Sequence, residues 1–280
     1  VPGSALPALP EHLEQQFRGL EDLFSTLRPP ARAAAIHSVR HLRKAWAIRA
    51  VDPDMAIFRA ITAEEEAATA IIRSLQRLGY HGADRLSPRR HPHKAGLWPM
   101  LLAVNNAASK LPPPWPIQLA VVGEGAAAHY VLRMLPLDEN GERVLLPNGQ
   151  ELVMVQDPPL EITLHENLND GRGDVLHDFG TELAELAARD GHASIIEKVR
   201  ERANLRNRIL YATMTGYREA DGDVGPVLEA YSKSTKALLL ALLLVDPPNV
   251  VQRFAQQVVD AYVGIVAKRG GCGAKAMEHP

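Results

Sequence analysis

The chain has 280 residues, 46% hydrophobic and 23% charged, enough to bury one large core or two modest ones and too apolar for a disordered or collagen-like chain. Its formal charge is −2, from 31 Lys+Arg against 33 Asp+Glu, which taken alone argues against a polyanionic partner. The longest apolar stretch, 237–245, has about half the length a bilayer requires, so no membrane partner is expected.

The start, Val1-Pro2-Gly3-Ser4, lacks the basic segment of a signal peptide and is read as a clipped end. After Pro10, Leu13, Phe17, Leu20, Phe24 and Leu27 recur at spacings of three and four, which predicts an amphipathic helix stopped by Pro29-Pro30. A second helix is predicted over 31–49, with Ile36, Val39, Leu42 and Trp46 or Ile48 as its stripe. Asp52-Pro53 supplies an N-cap followed by proline at the first helical position, opening a third helix that ends at Leu78 before Gly79. A polar loop rich in His, Arg and Pro leads to a shorter helix over 97–111, ended by Pro112-Pro113-Pro114.

The period then changes. Strands are predicted over 117–122, 129–135, 143–146, 151–155 and 160–164, with hairpin turns at Asn140-Gly141 and Asn148-Gly149, where both turn residues must tolerate positive φ. Helical pattern resumes over 174–188, 192–217, 224–245 and 249–268. Cys272, in a Gly-rich tail, can form no internal disulfide and no cysteine-based zinc site, so the expected location is cytoplasmic. The expected fold class is α+β: a mainly α-helical bundle interrupted by a small antiparallel β meander, divided as 1–115, 116–170 and 171–280.

Counting charge by segment changes its meaning. Residues 1–115 carry 15 Lys+Arg against 10 Asp+Glu, residues 116–195 carry 4 against 14, and residues 196–280 carry 12 against 9. A basic helical body thus holds an acidic insert of net −10, and the near-neutral total is a cancellation.

Four patterns carry chemistry. Gly123-Glu124-Gly125-Ala126-Ala127-Ala128 after a strand has the form of a dinucleotide-binding turn, but the two hairpin signals occupy the place of the second parallel strand, and a turn within the meander explains it better. His37 and His41 lie at i and i+4, and His91-Pro92-His93 follows a helix whose Glu64-Glu65-Glu66 come within possible reach; without cysteines or an H-E-x-x-H spacing, a solvated face is expected and no metal or cofactor. Arg32 is followed five residues later by His37, and Arg172 by His177, a spacing that serves metal-independent ribonucleases, where His moves a proton and Arg stabilises the phosphate, but which also arises by chance in an Arg-rich chain. Finally, Arg32, Arg40, Arg43, Lys44 and Arg49 share the second helix, and Lys198, Arg202 and Arg206 stack like charges at i, i+4 and i+8, which a phosphate backbone or neighbouring carboxylates would have to compensate.

The order of three segments resembles the HEPN superfamily of helical-bundle proteins, including its AbiV-type abortive-infection branch. They are the helix from Phe58 through Glu64-Glu65-Glu66 to Ala70, the step His93-Lys94, and Arg206-Asn207-Arg208-Ile209-Leu210-Tyr211-Ala212 with the apolar helix 227–245 behind it. The resemblance covers about half of the chain; it implies an RNA-associated protein of bacterial, antiviral defence or toxin type, acting as a homodimer, with a metal-independent ribonuclease as its enzymatic form. Nuclease members carry an Arg followed by His four to six residues on, often with Asn directly after the Arg; here Arg206-Asn207 is followed by Tyr211 in place of the His. The expected phosphate-facing site is Arg206, Asn207 and Tyr211, with Arg32 and His37 as a second pair and Arg40, Lys44, Lys198 and Arg202 as nucleic-acid contacts. The competing expectation is a non-enzymatic dimeric interaction protein whose acidic β module binds a protein partner and whose arginines are satisfied by intramolecular carboxylates.

Overall fold

A computed structural model describes residues 9–110, 117–123, 129–138, 140–168, 173–210 and 222–267. Among them the chain forms nine α-helices and two small antiparallel sheets, a mainly helical α+β fold. Helix α1 (Glu11–Leu23) buries Leu13, Phe17, Leu20 and Leu23 and passes through a single 3-10 turn, Phe24–Thr26, into α2 (Pro29–Ile48). Pro29 and Pro30 are the opening residues of α2 and not a spacer, since the missing N–H of a first-turn proline has no helical acceptor to lose.

Helix α3 (Pro53–Leu78) is the axis of the bundle and has the predicted bounds: the Asp52 side chain accepts from the Met55 amide at 3.0 Å, and Gly79 ends the helix at φ +76°. It packs against α2, α4 (His91–Ala95), α7 (Ile195–Leu210) and α8 (Gly225–Val245), which is possible because it is buried on almost every side. The α2–α3 contact is the most extensive of the fold, and the buried alanines of both helices, Ala31, Ala34, Ala35 and Ala45 on α2 and Ala56, Ala60, Ala63 and Ala67 on α3, are small enough to let two backbones approach closely. Helices α5 (Leu97–Ser109), α6 (Gly180–Arg189) and α9 (Arg253–Ala267) complete the bundle, which is built from both ends of the chain around one continuous core.

Strands β1 (Ile117–Val122), β2 (His129–Met134) and β3 (Met154–Gln156) form an antiparallel meander, and β4 (His165–Leu168) pairs with β5 (Gly173–Leu176). Val122 faces His129 across the β1–β2 ladder, so β1 and β2 are antiparallel neighbours and not the parallel pair of a dinucleotide-binding unit; residues 124–128 lie outside the described residues. Gly141 and Gly149 adopt φ +79° in the two predicted turns, but only single bridges, Leu137 to Arg143 and Leu145 to Glu151, flank them. The predicted strand 143–146 fails because its side chains bury no face, Leu145 being 60% exposed. Segment 160–164 is also not a strand: the amides of Leu160 and Leu164 donate instead to Gln252 and Gln257, at 2.7 and 3.0 Å, tying the β module to α9 and the turn before it. Helix α6 begins six residues later than predicted, because 173–176 is taken into β5.

Asp246, at the C-terminal end of α8, locks three helices together. Fully buried, its carboxylate accepts from the Arg28 amide at 2.8 Å, Ser74 Oγ at 2.7 Å and Arg77 Nη2 at 2.8 Å. Replacing Asp246 with Ala would leave these donors unanswered and is expected to cost about 3 kcal/mol. Chemical denaturation checks this, with Asp246→Asn, which keeps an acceptor, falling between the two.

Candidate functional site

Two adjacent carboxylates, Glu64 and Glu65, lie inside the bundle at the middle of α3, each less than a tenth exposed. Such charges must be paired and hydrogen-bonded to be tolerated. Because adjacent helical residues point about 100° apart, the two look toward different neighbours.

Glu64 receives a two-pronged contact from Arg202 of α7, with Nε at 3.1 Å from Oε1 and Nη2 against Oε2, and Ser234 Oγ of α8 donates to Oε2. The Arg202 guanidinium also lies 5.1 Å over the Tyr231 ring. Burial opposes the Arg202 charge, but the Glu64 carboxylate outweighs it and holds the group above its ordinary value. Burial likewise pushes the Tyr231 phenol up to about 12, so it stays a neutral platform.

Glu65 is reached from α4 and α7. His91 Nδ1 lies 2.6 Å from Oε1, Lys94 Nζ donates to Oε2 at 2.8 Å, and Arg206 Nη1 stands 3.6 Å from Oε2. His91 and Lys94 reach one carboxylate because residues three apart share a helical face. The other edge of the imidazole, Nε2, is 3.2 Å from Arg206 Nη1. A carboxylate only accepts and a guanidinium only donates, so in this arrangement Nδ1 carries the proton and Nε2 the lone pair. Arg206 also lies 4.8 Å over the Phe58 ring, one face with Glu65 seven residues on, and its buried Nε has no partner among the described residues.

The structure thus brings Glu65, His91 and Arg206 into one chain of contacts, with His91 and the Arg206 side chain about a third exposed. Asn207 is exposed beside Arg206 on α7, and Tyr211 lies outside the described residues. Arg32 and His37 are not brought together. Five residues along a helix place them about 140° apart, and the Arg32 guanidinium is spent on the carbonyls of Ser25 and Leu27, at 2.6 to 3.1 Å, where it closes the 3-10 turn. Of the second Arg–His spacing, Arg172 lies outside the described residues, and His177 is held between Glu166 and Glu182 and against Phe179.

The predicted phosphate contacts divide in two. Lys198 is bound to Asp190 and to the Leu186 carbonyl, and Arg202 to Glu64, so the stripe on α7 is matched largely from within. Arg40 and Lys44 are exposed on α2 and pair with no carboxylate among the described residues, whereas Arg43 is clamped by Glu14 and Glu21. His41 lies in the same basic neighbourhood, its Nδ1 buried without a partner among the described residues. Burial first, then the charges of Arg59 and Lys44, lower its pKa to about 4.

No group of three or more His, Cys, Asp or Glu suited to a metal ion is found among the described residues, and the lone pairs of Glu65 are taken by three cationic or N–H donors. No helix among them is long and apolar enough to cross a membrane. Comparison of the chain with protein-family models, with curated proteins and with solved structures returns no match.

His91 is the residue that motif spacing misses. In the sequence it stands out only as a neighbour of His93 in the His-Pro-His run weighed with the glutamate triplet as a metal site, and its contact with Arg206 spans 115 positions. His93 itself is turned inward, its Nδ1 accepting from the Ser87 amide at 2.9 Å and its carbonyl from Tyr262 Oη at 2.6 Å.

A pH effect follows from His41. Its folded pKa, about 4, lies below the ordinary histidine value of 6.5, so the folded state resists the proton that the unfolded chain accepts. His41 therefore costs no stability above about pH 6.5 and increasingly destabilises the fold as pH drops toward 4. An NMR titration should place the His41 midpoint near 4, and His41→Asn should flatten the acid side of the stability curve; a midpoint near 6.5 would contradict the assignment.

Proposed function

We propose that this is an RNA-associated protein of HEPN-like, defence or toxin type, and that its site acts as a metal-independent endoribonuclease. The observation that carries the reading is the chain Glu65–His91–Arg206, with 2.6 Å at Nδ1 and 3.2 Å at Nε2. It supplies a base in a fixed tautomer, an anion that supports the imidazolium, and a guanidinium where phosphate charge would develop.

In this mechanism Arg206 exchanges its contact with His91 for a non-bridging phosphate oxygen, freeing Nε2. That nitrogen takes the proton of the ribose 2′-hydroxyl, whose oxygen attacks phosphorus as the bond to the 5′-oxygen breaks. The proton returns from the imidazolium to the leaving 5′-oxygen, giving a 2′,3′-cyclic phosphate and a 5′-hydroxyl. Lys94 stays with Glu65, buried, and holds its charge in balance while His91 changes state. Exposed Arg40 and Lys44 on α2 supply sequence-independent attraction for the phosphate backbone.

A second reading, a non-enzymatic dimeric interaction protein, is favoured by the internal pairing of Lys198 and Arg202 and by exposed apolar residues on the acidic β module, among them Leu145, Val155 and Leu176.

Incubation with total RNA, with and without chelator, separates the two. The enzymatic reading expects chelator-resistant cleavage with cyclic-phosphate ends, lowered about 100-fold or more by His91→Gln and by Arg206→Gln in proteins that still unfold cooperatively. Absence of cleavage by the unaltered chain, or full cleavage by both variants, would overturn it in favour of the second.

A further inference from the structure

A cavity of about 1120 Å³ lies between α5, α8 and α9, under β2, β3 and segment 160–164. Packing voids in protein interiors rarely exceed a water molecule, and a space of this size is that of a ligand pocket. None of Glu65, His91 and Arg206 lines it. It is a second feature, independent of the ribonuclease reading.

The wall is mostly apolar, with Leu101, Ile162 and Val258 representative, and also includes Asn105 and the rings of Tyr130, Phe254 and Tyr262. Gln252 faces it too, but its amide is already spent on the Leu160 amide and the Leu244 carbonyl, both at 2.7 Å. Lys236 is the one charged residue among the described lining residues. Its Nζ donates to the neutral side-chain oxygen of Gln16 at 2.8 Å and meets no carboxylate among the described residues. Burial holds this ammonium below the ordinary lysine value, the sign of a charge that lacks its counter-ion.

Helix α8 gives the cavity a direction. Lys236, Ala237, Leu240, Ala241, Leu244 and Val245 share one face and follow the wall from the cation to the apolar end, about 13 Å at 1.5 Å per residue. The burial of its lining favours a small ligand over a protein surface, since of the lining residues only Met154 is among the exposed large hydrophobics. We infer that the cavity binds a single-chain amphiphile with an anionic head, of the fatty-acid type, its carboxylate against Lys236 and Gln16 and its tail along α8. A cation without a counter-ion selects the head, and a mostly apolar wall the tail.

Calorimetric titration of the full chain with dodecanoic acid, below its micellar concentration, tests this directly. Saturable one-to-one binding is expected, weakened about tenfold when dodecan-1-ol replaces the acid or when Lys236→Gln replaces the cation. Decanoic acid should bind several-fold more weakly than dodecanoic acid, because each methylene adds to the buried apolar area. Ala241→Trp, which fills the cavity from α8, should abolish binding. The acid-to-alcohol comparison uses the unaltered chain, so it decides even if that variant fails to fold. No saturable binding, equal affinity for acid and alcohol, or a folded Ala241→Trp that still binds would overturn the assignment.

Discussion

The fold depends on two negative charges that have been carried into its centre. Glu64 and Glu65 sit on the helix against which α2, α4, α7 and α8 all pack, and a carboxylate there is tolerable only if cations follow it inside. Lys94, Arg202 and Arg206 do so, and with them come α4 and α7. The elements that carry the site are thus positioned by charge compensation as much as by apolar contact. The small satellite core of Ala95, Val199 and Ala203 fills the space between α4 and α7 once those cations are in place.

This pairing also settles how the charge of the chain is distributed. The acidic insert does not quench the basic helices wholesale. Lys198 meets Asp190, but the next two members of its stripe are answered by α3 of the helical body itself. Several insert carboxylates turn elsewhere: Glu182 and Glu185 to Lys110, Glu161 to Arg253, Glu151 to Arg143. Among the described residues, exposed Arg40 and Lys44 on α2 belong to the basic surface that meets no carboxylate. A near-neutral total therefore coexists with a cationic face open to a polyanion, which is the electrostatic condition the proposed RNA reading needs.

Most helices were legible because their determinants are local. The Asp52-Pro53 start and Gly79 stop of α3, and the three-four spacing of Leu13, Phe17, Leu20 and Phe24, act within a turn or two of chain. The β module was legible at β1 and β2, at its two Asn-Gly turns and in part at β3, whose Met154 and Val155 fall in the predicted strand 151–155; it was not legible at 143–146 and 160–164, whose fate is decided by burial and by the side chains of Gln252 and Gln257 far along the chain. The five-residue α4 hides in a segment whose His, Arg and Pro content is that of a loop. At the site, the glutamate triplet, the histidines of 91–93 and Arg206 could each be picked out. Their meeting could not, since the Arg206 to His91 contact depends on where α3 places Glu65, and the local Arg32 to His37 spacing pointed to residues on different sides of one helix.

What the structure offers chemically is a histidine oriented on one side by a buried carboxylate and touched on the other by an arginine, all three resting on the compensation of the α3 carboxylates by cations of α4 and α7. The measurement that reaches this most directly is a double-mutant cycle on unfolding free energy, using Glu64→Gln, Arg202→Gln and the pair. Because each partner is the buried counter-ion of the other, the account predicts a coupling of about 1–3 kcal/mol, with the double variant more stable than the sum of the single losses. Additivity within about 0.5 kcal/mol would contradict it, and would mean that α7 is held in place without the charges of α3.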